Sequence, residues 1–178
     1  MSAYFVNSPF VSPGPISATH TAPAAPIGME VDGIDRTAAT SGGIAAGRFV
    51  YCRGSNVASV GAFVHINNGS AVMLAAANSG SNFPIGVAAG LLSATNIYGW
   101  VQVQGRVDYA RGTNVANTAG VPRYICAGTA GIVVSDVVAG NRIQGLNVPV
   151  AQSSTAGVSA SGVYDLNRPF CAGLTASL

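Results

Sequence analysis

The sequence predicts an all-β fold, a small β-barrel or sandwich of short strands with an extended Pro-rich N-terminal arm. Three observations point to it. From Trp100 the order Trp, Val101, Gln102, Val103, Gln104 alternates apolar and polar residues, and side chains of a strand alternate between two faces with period two. Two apolar runs flank Asn68-Gly69, and both of these residues tolerate the positive φ that a type I′ hairpin turn requires. Several further short runs of apolar residues are separated by turns rich in Gly, Asn and Thr, the pattern of a sandwich or barrel.

In chain order, residues 1–46 differ from the rest. Five of the nine prolines stand at positions 9, 13, 15, 23 and 26, and proline removes backbone donors and blocks helix interiors and central strands. The segment is expected to be an extended arm. It also carries Tyr4, Phe5 and Phe10, more aromatic content than a solvated linker has, so these three are expected either to anchor the arm on a partner or, equally, to pack on the chain's own domain. Glu30, Asp32 and Asp35 place three of the six acidic residues in MEVDGID. Read as a calcium loop from Glu30, this stretch needs a bidentate Glu at its twelfth position, where Ser41 stands, and a solvated turn is expected instead.

The β core is expected over residues 47–150. Its first strand covers residues 48–53, and the hairpin runs from 60–66 through the turn at 67–70 to 71–77. Asn68-Gly69-Ser70 is also a glycosylation sequon, but no basic n-region or apolar h-region precedes the first cationic side chain, Arg36, so the turn reading is preferred. Further strands are expected at 84–89, 98–104, 106–110, 122–127, 131–135 and 141–148. Gly99 and Gly105 bracket the Trp100 alternation, where glycine marks a bend, a bulge or a close backbone approach. Trp100 is counted with Val101 and Val103 on the dry side, in the core or a subunit contact, while Gln102 and Gln104 face water. Residues 151–178 are expected to be a loop over 151–162 and a last strand or extension over 170–178.

Composition narrows the function classes. Charged residues are 8% of the 178, against a usual fraction of about 25%, and the mean hydropathy is +0.42. So few charges cannot cover a monomer's surface, which predicts burial against other chains. No run of roughly 20 apolar residues is present to cross a membrane as a helix. All eight cations are Arg, scattered singly, and the net charge is +2, so no basic stripe tracks a nucleic acid. Without lysine, a phosphate-binding P-loop, a Schiff-base enzyme and a Ser-Lys dyad are excluded. Codon usage explains this bias better than interface pairing by Arg.

Catalytic motifs fail in turn. Cys52, Cys126 and Cys171 form no CxxC pair, and neither His20 nor His65 lies at a metal-ligand spacing from them, so three buried reduced thiols are expected and no metal. A hydrolase using Cys52 or Cys126 with His65 as base is the enzyme alternative. Residues 157–161, GVSAS, miss the nucleophile elbow GxSxG at the fifth position, and Asp108, Asp136 and Asp165 are isolated. Gly86 and Gly90 have GxxxG spacing in a run too short to span a bilayer. No cofactor and no small-molecule substrate is expected.

The order GRFVYCRG, SVGAFVHI, FPIGVAAG, IYGWVQVQGRV, RYICAGTAGIV and NRIQGL resembles the barrel of small capsid decoration, or cement, proteins of tailed bacteriophages. The resemblance covers about residues 47–148 and is carried by PIGVA at 84–88, GWVQVQG at 99–105 and TAG at 129–131. It implies a small β-barrel, a homotrimer, seated on the outer surface of the virion's head, where it binds the major capsid protein and clamps adjacent capsomers. A receptor-binding head fibre or spike subunit is the alternative of the same architecture.

Overall fold

Alternation of β-branched and aromatic residues runs through the longest strands, and each such strand divides its side chains between two cores. The computed structural model describes residues 5–6, 16–35, 45–57, 59–75, 83–113, 123–125, 130–134, 142–149 and 159–171. Among the described residues eleven strands follow one another: β1 (Phe5–Val6), β2 (Glu30–Asp35), β3 (Ala45–Ser55), β4 (Phe63–Asn67), β5 (Ser70–Met73), β6 (Ile85–Ala88), β7 (Tyr98–Thr113), β8 (Arg123–Ile125), β9 (Val133–Val134), β10 (Arg142–Asn147) and β11 (Ser159–Cys171). The fold is all-β with one mixed sheet, in the order β1-β2-β3-β5-β4-β6-β7-β11-β10-β8-β9. Its pairs are antiparallel except β3 with β5 and β7 with β9.

Two further pairings turn the sheet back on itself. Because β3 also pairs with β7, strands β3-β5-β4-β6-β7 form a closed ring, and because β7 also pairs with β9, strands β7-β11-β10-β8-β9 form another. The 16-residue β7 belongs to both. Its first half lies between β3 and β6, with Gln102 opposite Phe49 on one edge and Val87 on the other. Its second half lies between β11 and β9, with Gly112 opposite Ala160 and Val133. At Gly105, where partners change, φ is +95°, and a Cβ there would run into the Ala46 carbonyl oxygen. The strands expected separately at 98–104 and 106–110 are therefore one strand, hinged at the close approach expected of Gly105.

Three apolar clusters stack through this arrangement. Val50, Cys52, Val64, Ala88, Val101 and Val103 share the central cluster. On the other side of β3 and β7 lies a cluster of Ile16, Val31, Phe49, Tyr51 and Trp100, and on the other side of β4 and β6 lies one containing Phe63, Val87, Val107, Ile143, Tyr164 and Leu166. Both faces of β3, β4, β6 and the first half of β7 are thus covered, which is why β3, β4 and β6 read as near-continuous apolar runs.

The hairpin turn is as expected, with Asn68 at φ 46° and Gly69 at φ 73° between β4 and β5. The strands flanking it are shorter than expected. Three expectations are corrected. Residues 16–35 are packed on the sheet, not extended away from it: Pro23 and Pro26 occupy exposed positions outside any strand, while Ile16, Ala25 and Val31 between and beyond them are buried. MEVDGID is not a solvated turn, since residues 30–35 pair along their whole length with β3. Residues 159–162, expected in a loop, open β11, of whose thirteen residues only Phe170 and Cys171 fall in the last strand or extension expected over 170–178.

Candidate functional site

The described residues enclose a pocket of about 340 Å³ beside the central cluster. It is lined by Val50 of β3, Ile66 of β4 and Val103 of β7, which belong to or pack against the central cluster, and by Ile85 of β6, a member of the cluster beyond β6. Phe170 of β11 forms a wall and is 40% exposed. Pro84 closes the same side and is bridged to Phe170 through the backbone.

Charge enters the pocket only through Glu30 of β2 and Arg168 of β11, which meet in a two-pronged pair: the Arg168 Nη2 donates to Glu30 Oε2 at 2.6 Å and Nη1 to Oε1 at 3.3 Å. Arg48 approaches the same Oε2 at 3.9 Å and donates through Nε to Asp32 Oδ1 at 3.1 Å. Glu30 therefore lies between two guanidinium groups. The hydrogen bond from Arg48 to Asp32, and then the charge of that carboxylate, hold the Arg48 guanidinium above its usual pKa. Arg48 and Arg168 thus pair with carboxylates within the chain.

Arg168 owes its place to a β-bulge. Between Gln144 and Leu146 of β10 the register with β11 slips, leaving residues 167–169 without partners on β10, and Arg168 takes φ 44°. A non-glycine residue in the left-handed region is uncommon, and bulges re-aim side chains.

Of the residues singled out by sequence, Val101 and Val103 lie in the central cluster and Val103 also lines the pocket. Trp100 is on the opposite face, only 3% exposed, with its ring edge-on to Tyr51 at 4.9 Å. Counting it with Val101 and Val103 was incorrect, since it shares the parity of Gln102 and Gln104. Nor does Gln102 face water. It is fully buried, its Nε2 donating to the Gln104 and Arg106 carbonyls at 3.3 and 3.0 Å and its Oε1 accepting from the Tyr109 hydroxyl at 3.3 Å. Gln104 is exposed.

Phe5 lies in β1 opposite Ile34 of β2, whereas Tyr4 and Phe10 fall outside the described residues. Asn68 and Gly69 form their turn away from the pocket lining.

The structure does not bring Cys52 and His65 together. Cys52 points into the central cluster with Val64, and His65, next along β4, points to the other side, where its ring stacks on Phe83 at 5.7 Å. Burial pushes the Cys52 thiol up to about 12 and raises Cys171, so both are protonated at neutral pH. Cys126 lies outside the described residues. Among the described residues no cluster of His, Cys, Asp or Glu could hold a metal ion.

No family model, curated protein or solved structure matches this chain.

Glu30, Arg168 and Phe170 were not recognised from sequence as neighbours. Glu30 and Arg168 are 138 positions apart, and no local pattern connects them. The one available signal was that Glu30 and Asp32 share a parity, which places two carboxylates on one face if the stretch is a strand.

Proposed function

We propose that this chain is a structural virion protein, a capsid decoration protein that binds the outer surface of a tailed phage's head and clamps adjacent capsomers as a homotrimer. In this reading each ring of strands is a small barrel and β7 is their common stave. The observation that carries it is a pair of apolar-filled rings in a chain whose charged fraction is 8%. A body of this kind leaves little charge to keep copies apart, which suits a protein used against other subunits. Ile27, Val60, Leu91 and Phe170 are large apolar side chains between 40% and 48% exposed and are available to such contacts. The segments that carry the family resemblance, residues 84–88 and 99–105, form β6 and the hinge-bearing half of β7, where a ring-closing role explains their glycines.

Attachment is assigned to the N-terminal residues before Ile16, with Tyr4, Phe5 and Phe10 as anchors, Phe5 lying in β1 at the edge of the sheet, since the segment from Ile16 onward belongs to the domain's own core. Replacing Tyr4, Phe5 and Phe10 together by Ala should leave the melting midpoint within a few degrees and abolish decoration of undecorated heads, seen by electron microscopy of heads with and without the protein. If wild-type protein leaves heads bare, the capsid reading fails. If the triple variant decorates as well as wild type, the sheet surface holds the contact.

A further inference from the structure

The pocket lined by Val50, Ile66, Ile85 and Val103 shares only its wall, Phe170, with the capsid reading, and its mouth carries a charged pair that a packing gap does not need. Its volume, about 340 Å³, falls in the range of about 300–1,000 Å³ that small-ligand sites occupy. The floor offers only hydrocarbon, and the polar groups converge at one place, the Glu30–Arg168 pair. Arg168 is held there by a left-handed backbone at a bulge, a conformation that costs free energy and gathers at ligand clamps.

We propose that this pocket binds an apolar monocarboxylate, with its hydrocarbon body on the valine and isoleucine floor and its carboxylate on the Arg168 guanidinium in place of Glu30. Glu30 already demonstrates the head-group geometry, because its two oxygens receive two parallel N–H donors from Arg168, the arrangement a planar guanidinium favours for any carboxylate. The exchange strands no charge. On leaving Arg168, Glu30 retains Arg48, now 3.9 Å from its Oε2, as a cationic neighbour, and Arg168 passes from one carboxylate to another. Both side chains of the pair are 41–51% exposed, so the swap takes place at the water boundary without burying an unpaired ion. Glu30 thus acts as an internal competitor that keeps the guanidinium oriented when the pocket is vacant. An apolar cation is disfavoured, since Glu30 is already flanked by two guanidinium groups and a third positive charge there is repelled.

Titration calorimetry of the full chain with octanoate, octanol and acetate tests the assignment. Octanoate should bind saturably at one site per chain. Octanol lacks the head group and acetate lacks the tail, and each should bind about tenfold more weakly or not measurably, as expected when a charge-assisted pair or its apolar complement is lost. Glu30→Gln removes the competitor at an exposed position and should tighten octanoate binding, whereas Arg168→Gln should weaken it by about tenfold or more. Ile66→Trp, which fills the floor, should abolish it. Circular dichroism melts of each variant identify any that does not fold, and the wild-type and Glu30→Gln titrations decide without the others. Absence of saturable octanoate binding to wild type overturns the proposal, as does octanol binding equally well, or Glu30→Gln leaving the affinity unchanged or lower. Head decoration is a separate readout, so loss of either reading leaves the other standing.

Discussion

Gln102 makes three hydrogen bonds at the point where β7 changes partners. Its amide nitrogen reaches the carbonyls of Gln104 and Arg106 on either side of Gly105, and its amide oxygen takes the Tyr109 hydroxyl. A buried amide satisfied in this way costs little, whereas a hydrocarbon there would leave two carbonyls and a hydroxyl searching for partners. Beside it Trp100 fills the cluster above β3. Trp100→Ala should lower stability by about 3 to 5 kcal/mol, the usual range for removing a buried aromatic, read from denaturant unfolding. An unchanged midpoint would contradict the packing. His65 gives a pH signature. Burial lowers its pKa from the ordinary 6.5, so the unfolded chain binds the proton more readily than the folded one. Stability from this group is complete above pH 6.5 and is lost as the pH falls through that value toward the lowered one. The melting midpoint should therefore drop on acidification from pH 7.5 to pH 5 by a smaller amount in His65→Gln than in wild type, and parallel pH profiles would remove His65 as the cause.

At the scale of elements, legibility followed how local the determining chemistry is. The β4–β5 turn was readable because Asn68 and Gly69 alone supply the two positive φ angles. The alternation of β7 was readable too, but polarity was mistaken for exposure at Gln102, whose partners become visible only when the chain hinges at Gly105. β11 was missed because Arg168-Pro169 reads as a breaker, yet Pro169 sits in the bulge opposite β10, where no ladder bond is required of it. The pocket was illegible altogether, since its lining runs from Glu30 to Phe170. Gly105→Ala tests the hinge: a methyl group at φ +95° against the Ala46 carbonyl should cost well over about 1 kcal/mol, measured by urea unfolding. A variant as stable as wild type would mean that β7 can change partners without this backbone geometry.

For the whole molecule, the deciding quantity is charge per surface. With eight cations and six anions on 178 residues, and several of them spent on the Arg48, Arg168, Glu30 and Asp32 network, the exterior has little left to resist association. Light scattering at micromolar concentration should give the mass of a trimer of the 17.7 kDa chain. A monomeric mass would contradict the assembly proposed above.

The shared strand also dictates an order of events as the chain leaves the ribosome. Once residue 113 has emerged, every strand of the first ring exists, so that ring can close while the rest is still being made. The second ring cannot, for its β11 is the last strand synthesised. Through that interval Phe63, Ile85 and Val87 on the far side of β4 and β6, together with Val107 and Ala110, have no cover, and the nascent chain displays a sticky half-built face. A pause in translation, or a stop codon between residues 113 and 159, would thus leave a half-closed protein that chaperones must hold, and β11 supplies the cover, Arg168 and Phe170 in a single late step.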